Sequence, residues 1–237
     1  MRFRTGLFSF IFLMIHQPTG ASEVDLLPTL DHYLDARSAE FDQISESRKA
    51  ELELLADYIS QRLSADQTVA LTFICTHNSR RSHLAQLWAA AAAIRYGIDG
   101  VETFSGGTEV TAFNPRAVAA LRRCGMEISA VDPQADNPRY RVRLTVVDQS
   151  SVECFSKRFD ESPNPTTGFC AVMTCSHADA TCPTVHGSEL RLAIAYEDPK
   201  VGDGTPQEAD LYDIRSKQIA REMMYALSRV TPLNGRR

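Results

Sequence analysis

The chain has 237 residues, 43% of them hydrophobic, which is enough for one substantial α/β domain with extensions. A net charge of -5 and a pI near 5.7, with no basic stripe to offset the acidic balance, argue against nucleic-acid binding. No internal repeat or low-complexity tract interrupts it.

Residues 1–21 differ in character from the rest of the chain. Arg2 and Arg4 precede the apolar run Leu7 to Ile15, broken only by Ser9, and Thr19-Gly20-Ala21 supplies small residues at cleavage positions. This is signal-peptide architecture, too short in its apolar core for a stable membrane span, so the expectation is an exported, periplasmic protein. The alternative is a cytoplasmic protein with an upstream mis-start or a tail packed on the domain. Residues 22–66 read as an N-terminal helical extension. Leu26, Leu30, Tyr33 and Leu34 line one helix near Pro28, and Leu52, Leu55, Tyr58, Ile59 and Leu63 line a second. Residues 67–237 form the main domain.

That domain opens on Val69 to Ile74, a β-branched apolar run that reads as a buried parallel strand, followed by an Ala-rich helix with Leu84, Leu87, Trp88, Ala91 and Ile94 at helical spacing. A strand comes next near Val101 to Phe104, then a helix over Pro115 to Arg123 capped by Asn114. Tyr140 to Val147 and Val152 to Phe159 read as an inserted β-hairpin across Asp148 to Ser151, with Arg139, Arg141 and Arg143 on a solvated face. Strands near Ala171 to Thr174 and Leu192 to Tyr196 and a final helix from about Glu208 to Leu227 complete an α/β fold, a central parallel sheet flanked by helices with its active site at the strands' carboxyl ends.

The chemistry concentrates at Cys75-Thr76-His77-Asn78-Ser79-Arg80-Arg81-Ser82, where a cysteine ends a strand six residues before an arginine at the start of a helix. Helix N-termini bind anions and lower thiol pKa values, and the planar fork of Arg81 suits an oxyanion. Ser82 or Ser79 is placed to donate a hydrogen bond to a thiolate. Taken alone, the same spacing also fits a buried structural cysteine beside a solvated arginine pair. Cys175 and Cys182 lie too far apart for a tight redox turn. One or two helical turns accommodate both, and a disulfide between them requires that helix to unwind, since bridged Cα atoms lie about 4.4 to 6.8 Å apart. Two buried cysteines or a structural disulfide fit equally. No second Cys or His pair with ligand spacing accompanies them, so no metal is expected, and His177 and His186 read as exposed or capping residues. Asp198 before Pro199 is either a proton donor or an ordinary turn aspartate. Cys124, Cys154 and Cys170 read as buried thiols.

From about residue 68 to 228 the chain resembles the low-molecular-weight tyrosine phosphatases and the thioredoxin-coupled arsenate reductases built on the same fold. Four pieces carry the likeness in order: the loop Cys75 to Ser82, Ser105-Gly106-Gly107-Thr108, the segment Cys175 to Cys182, and Asp198-Pro199. Two residues depart from the pattern. His77 stands where these loops usually carry Gly, which predicts backbone strain or a different path there, and Arg80 replaces a small residue or second Cys and adds positive charge near the rim.

The resemblance implies an arsenate reductase in which Cys75 attacks arsenate held by Arg81 and the loop amides of residues 76–80. Cys175 then attacks Cys75 to release arsenite, and Cys182 resolves the disulfide for an external dithiol reductant such as thioredoxin; no other cofactor is implied. The alternative enzyme is a protein-tyrosine phosphatase using Cys75, Arg81 and Asp198 on a phosphomonoester. A non-enzymatic alternative is an oxyanion or redox sensor. Export conflicts with cytoplasmic thioredoxin and calls for a periplasmic dithiol donor.

Overall fold

The structure is a computed structural model that describes residues 25–147, 151–182 and 184–231. The segment read as a signal peptide and the hairpin tip at 148–150 lie outside the described residues.

Strands β1 (Val69–Cys75), β2 (Val101–Gly107), β6 (Phe169–Met173) and β7 (Ser188–Ala193) form one parallel sheet in the order β2-β1-β6-β7. Side chains alternate across a strand, so β1 and β6 feed two cores. Val69, Leu71, Phe73, Cys170 and Val172 join the large core, while Ile74, Phe169, Ala171 and Met173 join a smaller one with Cys75, Cys175 and Ala178. Burial on both faces explains why the Val69–Ile74 run lacks polar alternation.

Helices α3 (Arg81–Arg95) and α6 (Glu208–Ser228) pack together over the large core, where fully buried Trp88 donates its indole N–H to Ser216 Oγ at 3.1 Å. The helices read from residues 22–66 are α1 (Pro28–Ser38) and α2 (Glu46–Ser64), and their buried leucines belong to the same core. Tyr33 of α1 stacks on Trp88 at 5.3 Å. Helix α4 (Pro115–Arg123) has the expected Asn114 cap, its side chain accepting the Arg116 N–H at 2.9 Å.

The last parallel strand and both arms of the inserted hairpin differ from expectation in extent. The last parallel strand is Ser188–Ala193 rather than Leu192 to Tyr196: β7 is a sheet edge that pairs through its backbone and carries Glu189 and Arg191, while Ile194 and Tyr196 owe their apolar character to burial beyond the ladder. The inserted hairpin is short. Strand β4 (Tyr140–Arg143) pairs with β5 (Val152–Cys154) on one side and on the other with β3 (Glu127–Ala130), an unforeseen strand. The outer parts of the expected arms are used elsewhere, Thr145 bridging Leu26 and Arg158 bridging Gly107 at the end of β2. That second bridge brings residues 157–159 to the carboxyl end of the sheet. It also requires Gly106, where a Cβ would stand 2.3 Å from Phe159 Cα.

Among the described residues no helix is long and apolar enough to cross a membrane.

Candidate active site

Cys75 is the last residue of β1, and the loop after it is held from outside. Glu109 N–H donates to Thr76 O at 2.8 Å, Thr111 Oγ1 and Ser156 Oγ donate to His77 O at 3.0 and 2.9 Å, and Asn114 N–H donates to Ser79 O at 2.9 Å. In a planar trans peptide the N–H opposes the C=O, so these bonds turn the amides of His77 and Arg80 away from residues 108–114. The positive-φ residue is Asn78 at 44°, not His77, which is exposed with Nε2 3.3 Å from Glu109 Oε2. Asn tolerates the left-handed region better than most side chains, and here the side chain holds the backbone in it. Fully buried Asn78 donates Nδ2–H to Ser82 Oγ at 2.9 Å and accepts the Lys157 N–H at 2.9 Å.

That bond fixes a direction of donation. Ser82 Oγ accepts from Asn78, so its own hydrogen is free for Cys75 Sγ, 3.1 Å away. Of the two serines expected at the thiol, Ser82 is the one in place; Ser79 Oγ instead donates to Ala112 O at 2.7 Å. Arg81 donates through Nη1 to Tyr196 O at 2.9 Å and through Nη2 to Asp198 Oδ2 at 2.8 Å. Asp198 also accepts the Lys200 N–H at 3.1 Å, so it caps a turn and pairs with Arg81 at once. Arg80 does not add free charge at the rim. Its Nε donates to Tyr212 Oη at 2.7 Å and its Nη2 to Asp203 Oδ2 at 3.3 Å, while Tyr212 donates to Asp203 Oδ1 at 2.9 Å. Burial pushes the Tyr212 phenol up to about 12.

The second pair of thiols owes its place to strand register. β1 and β6 run in step with Ile74 opposite Met173, so each chain's continuation brings Thr76 beside Cys175. Buried Cys175 Sγ lies 3.5 Å from Thr76 Oγ1 and accepts the Ala178 N–H at 3.3 Å, capping the six-residue helix α5 (Ser176–Thr181). Cys182, partly exposed, comes directly after that helix with Sγ 3.6 Å from Thr184 O. Arg191 of β7 braces the segment, donating to Asp179 O at 2.7 Å, Asp179 Oδ1 at 2.6 Å and Cys182 O at 3.2 Å.

Cys124, Cys154 and Cys170 are buried away from this loop, and burial pushes Cys154 and Cys170 up to about 12. His177 and His186 are exposed. Among the described residues no group of three or more His, Cys, Asp and Glu side chains is placed to hold a metal. The sequence reading missed Lys157, Ser156, Arg191, Tyr212 and buried His83. His83 stacks on Phe113 at 4.0 Å with Nε2 3.3 Å from Phe155 O, and burial, then the Lys157 charge, hold its pKa well below the usual histidine range. Contacts between separate elements identify all five, and only for Arg191 are all the partners close in sequence.

A family profile described as low molecular weight phosphotyrosine protein phosphatase matches residues 69–140. An arsenate reductase of Brevibacillus brevis is 30% identical over 127 residues, 54% of this chain and 74% of that relative. One from Halalkalibacterium halodurans is 27% identical over 136 residues, 57% of this chain and 78% of the relative. Among solved structures, a low molecular weight protein tyrosine phosphatase from T. tengcongensis aligns at 14% identity with TM-score 0.43, covering 68% of this chain and 99% of that one. The chain belongs to the low molecular weight phosphotyrosine protein phosphatase family, arsenate reductases included.

Proposed function

We propose that this enzyme reduces arsenate to arsenite with Cys75 as nucleophile and Cys175 and Cys182 as an internal thiol relay. The similarity to arsenate reductases and the phosphatase family profile make it an enzyme of one of those two kinds. The observation that favours the reductase is Cys175 Sγ seated 3.5 Å from Thr76 Oγ1, one residue beyond the nucleophile, with Cys182 at the far end of a single short helix.

In the first of the proposed steps arsenate binds to Arg81 in exchange for Asp198; Asp198, released from the ion pair, takes a proton from solvent and passes it to the departing hydroxide, which leaves as water as the Cys75 thiolate forms its bond to arsenic. Cys175 thiolate attacks Cys75 Sγ; the S–As electron pair departs with arsenic, which becomes arsenite, and a Cys75–Cys175 disulfide forms. Cys182 attacks Cys175 Sγ and frees Cys75 as a thiolate. An external dithiol of the thioredoxin kind supplies the two electrons that reopen Cys175–Cys182. If residues 1–21 direct export, that donor acts outside the cytoplasm. The Ser82 hydrogen bond and the Ala178 amide stabilise the two sulfurs when each is ionised.

The phosphatase reading is supported by the Arg81–Asp198 pair, which with Cys75 makes a complete set for phosphomonoester cleavage. Cys182→Ser separates the two. Under the relay it allows one arsenite per enzyme and traps a Cys75–Cys175 disulfide visible by mass spectrometry, while aryl-phosphate hydrolysis by the same variant is untouched. Sustained arsenate turnover at the wild-type rate with the same dithiol eliminates the relay and leaves the phosphatase.

A further inference from the structure

Arg48, in the first turn of α2, ties the N-terminal extension to the loop that holds Arg81. Its Nε donates to Glu222 Oε2 at 2.8 Å, its Nη2 donates to Ala195 O at 2.7 Å, and its guanidinium lies 4.8 Å from the centre of the Tyr196 ring. Glu222 is itself buried on α6 and accepts from Gln218 Nε2 at 2.9 Å. The next carbonyl along the chain, Tyr196 O, receives Arg81 Nη1, and Asp198 two residues on receives Arg81 Nη2. Residues 194–198 have left the β7 ladder. On the sheet side Ile194 N–H donates to Met173 O at 3.0 Å and Tyr196 N–H to Thr174 O at 3.1 Å; on the helix side Arg48 holds the intervening carbonyl.

We infer that Arg48 is a positioning residue for the oxyanion site. It fixes the Ala195 to Asp198 segment against α6, and so sets where Arg81 and Asp198 stand relative to Cys75. Three features support a specific task. The side chain is only 16% exposed, its three guanidinium nitrogens donate to Glu222, to Ala195 O and, within α2, to Glu51 Oε2 at 2.6 Å, and its face lies on a buried aromatic ring. Helix α2 lies ahead of residues 69–140, where the family profile matches, so the device is built from sequence that this chain carries in its extension. The inference rests on Arg81 as the oxyanion ligand and is independent of the thiol relay.

The test uses the full chain and inorganic phosphate, scored by protection of Cys75 from iodoacetamide with peptide mass spectrometry resolving the six cysteines. Arg48→Met and Arg48→Lys are compared with Tyr225→Phe, which removes another α2–α6 bond, Tyr225 Oη to Glu53 Oε1 at 2.7 Å, without touching residues 194–198. Arg48→Met is expected to weaken phosphate protection about tenfold, the scale of a lost charge-assisted hydrogen bond. Arg48→Lys, able to keep only part of the set of bonds to Glu222, Ala195 O and Glu51, recovers part of that, and Tyr225→Phe stays near wild type at a similar unfolding midpoint. Equal protection in Arg48→Met and Tyr225→Phe overturns the role. Should Arg48→Met not fold, Arg48→Lys decides alone, and wild-type protection by it overturns the role. Phosphate that fails to protect wild-type Cys75 removes the oxyanion site and the positioning role together.

Discussion

Around Cys75 the loop carbonyls of Thr76, His77 and Ser79 are all engaged from outside, and Asn78, wholly buried, is bonded at both ends of its amide. Between Cys175 and Cys182 there is one helix of six residues in which only Ala178 is buried, with the second thiol partly exposed. The two regions leave adjacent strands of the same sheet side by side, so the contrast is not one of place. A nucleophile that must meet a developing charge gains from donors already fixed, because no reorganisation is then needed during reaction. Under the proposed relay, a segment that brings two separated sulfurs to bonding distance gains from a helix too short to be stable alone, because little has to be broken to unwind it.

Arg81→Lys tests the rigid side most severely. An ammonium cannot hold Tyr196 O and Asp198 at once or grip an oxyanion bidentately, so kcat/KM on arsenate or on an aryl phosphate should fall about 10²- to 10³-fold. Near-wild-type kinetics would mean that the loop amides alone hold the anion. Asn78→Ala tests the same region through its scaffold. It places alanine at φ 44° and leaves Ser82 and the Lys157 amide without their partner, which should cost about 2 to 4 kcal/mol in urea unfolding. Asn78→Gly relieves the backbone but not the lost bonds and should recover only part of that. Full recovery by glycine would show that the side-chain bonds contribute nothing.

These variants also mark what is readable in the sequence. The strand, the loop and the helix from Val69 to Arg95 follow from local signals, an unbroken apolar run, a Cys-x5-Arg spacing and helical periodicity, and each is found where those signals put it. The strain falls at Asn78 rather than at His77 because a one-dimensional comparison with glycine ignores which side chain can bond its way into a left-handed turn. Arg80 reads as free at the rim because its partners, Tyr212 and Asp203, lie more than a hundred residues away. Lys157 is hidden in the same way, its N–H bonding Asn78 across 79 residues, whereas Arg191 is hidden by the fold of the short α5 segment back onto β7, since its partners Asp179 and Cys182 are near in sequence. Strand β7 is displaced from its expected place because apolarity marks burial, while an edge strand is defined by backbone bonds that polar residues make equally well.

Arg191→Met sharpens the comparison on the side of the short helix. Arg191 grips Asp179 and the Cys182 carbonyl with α5 wound, and under the proposed relay, in which disulfide formation unwinds α5, it therefore favours the dithiol over the disulfide. Its loss should shift the Cys175/Cys182 equilibrium toward the disulfide by up to about tenfold, near 30 mV for two electrons, the exposure of the pair keeping the effect modest. Equilibration in glutathione buffers of graded ratio reads this directly. A shift toward the dithiol, or none, would mean that the brace is equally present in the oxidised form.

The smallest effect at neutral pH concerns His83, which sits behind the rigid loop one residue after Ser82. Burial and the Lys157 charge lower its pKa in the folded chain, while in the unfolded chain it titrates near 6.5. Between those values the unfolded state binds more protons, so stability rises with pH, is complete above about 6.5 and is lost as pH falls below it. His83→Phe keeps the ring stacked on Phe113 and leaves the Phe155 carbonyl with the Lys157 ammonium, 3.5 Å away. The variant should therefore match wild type within about 1 kcal/mol at pH 7.5 and lose less stability on acidification, by at most about 1.4 kcal/mol for each pH unit below 6.5. Urea midpoints at pH 7.5, 6.0 and 5.0 measure the difference. Parallel losses in the two proteins would show that His83 takes up its proton in the folded state, and that the packing behind the Cys75 loop yields more readily than its hydrogen bonds suggest.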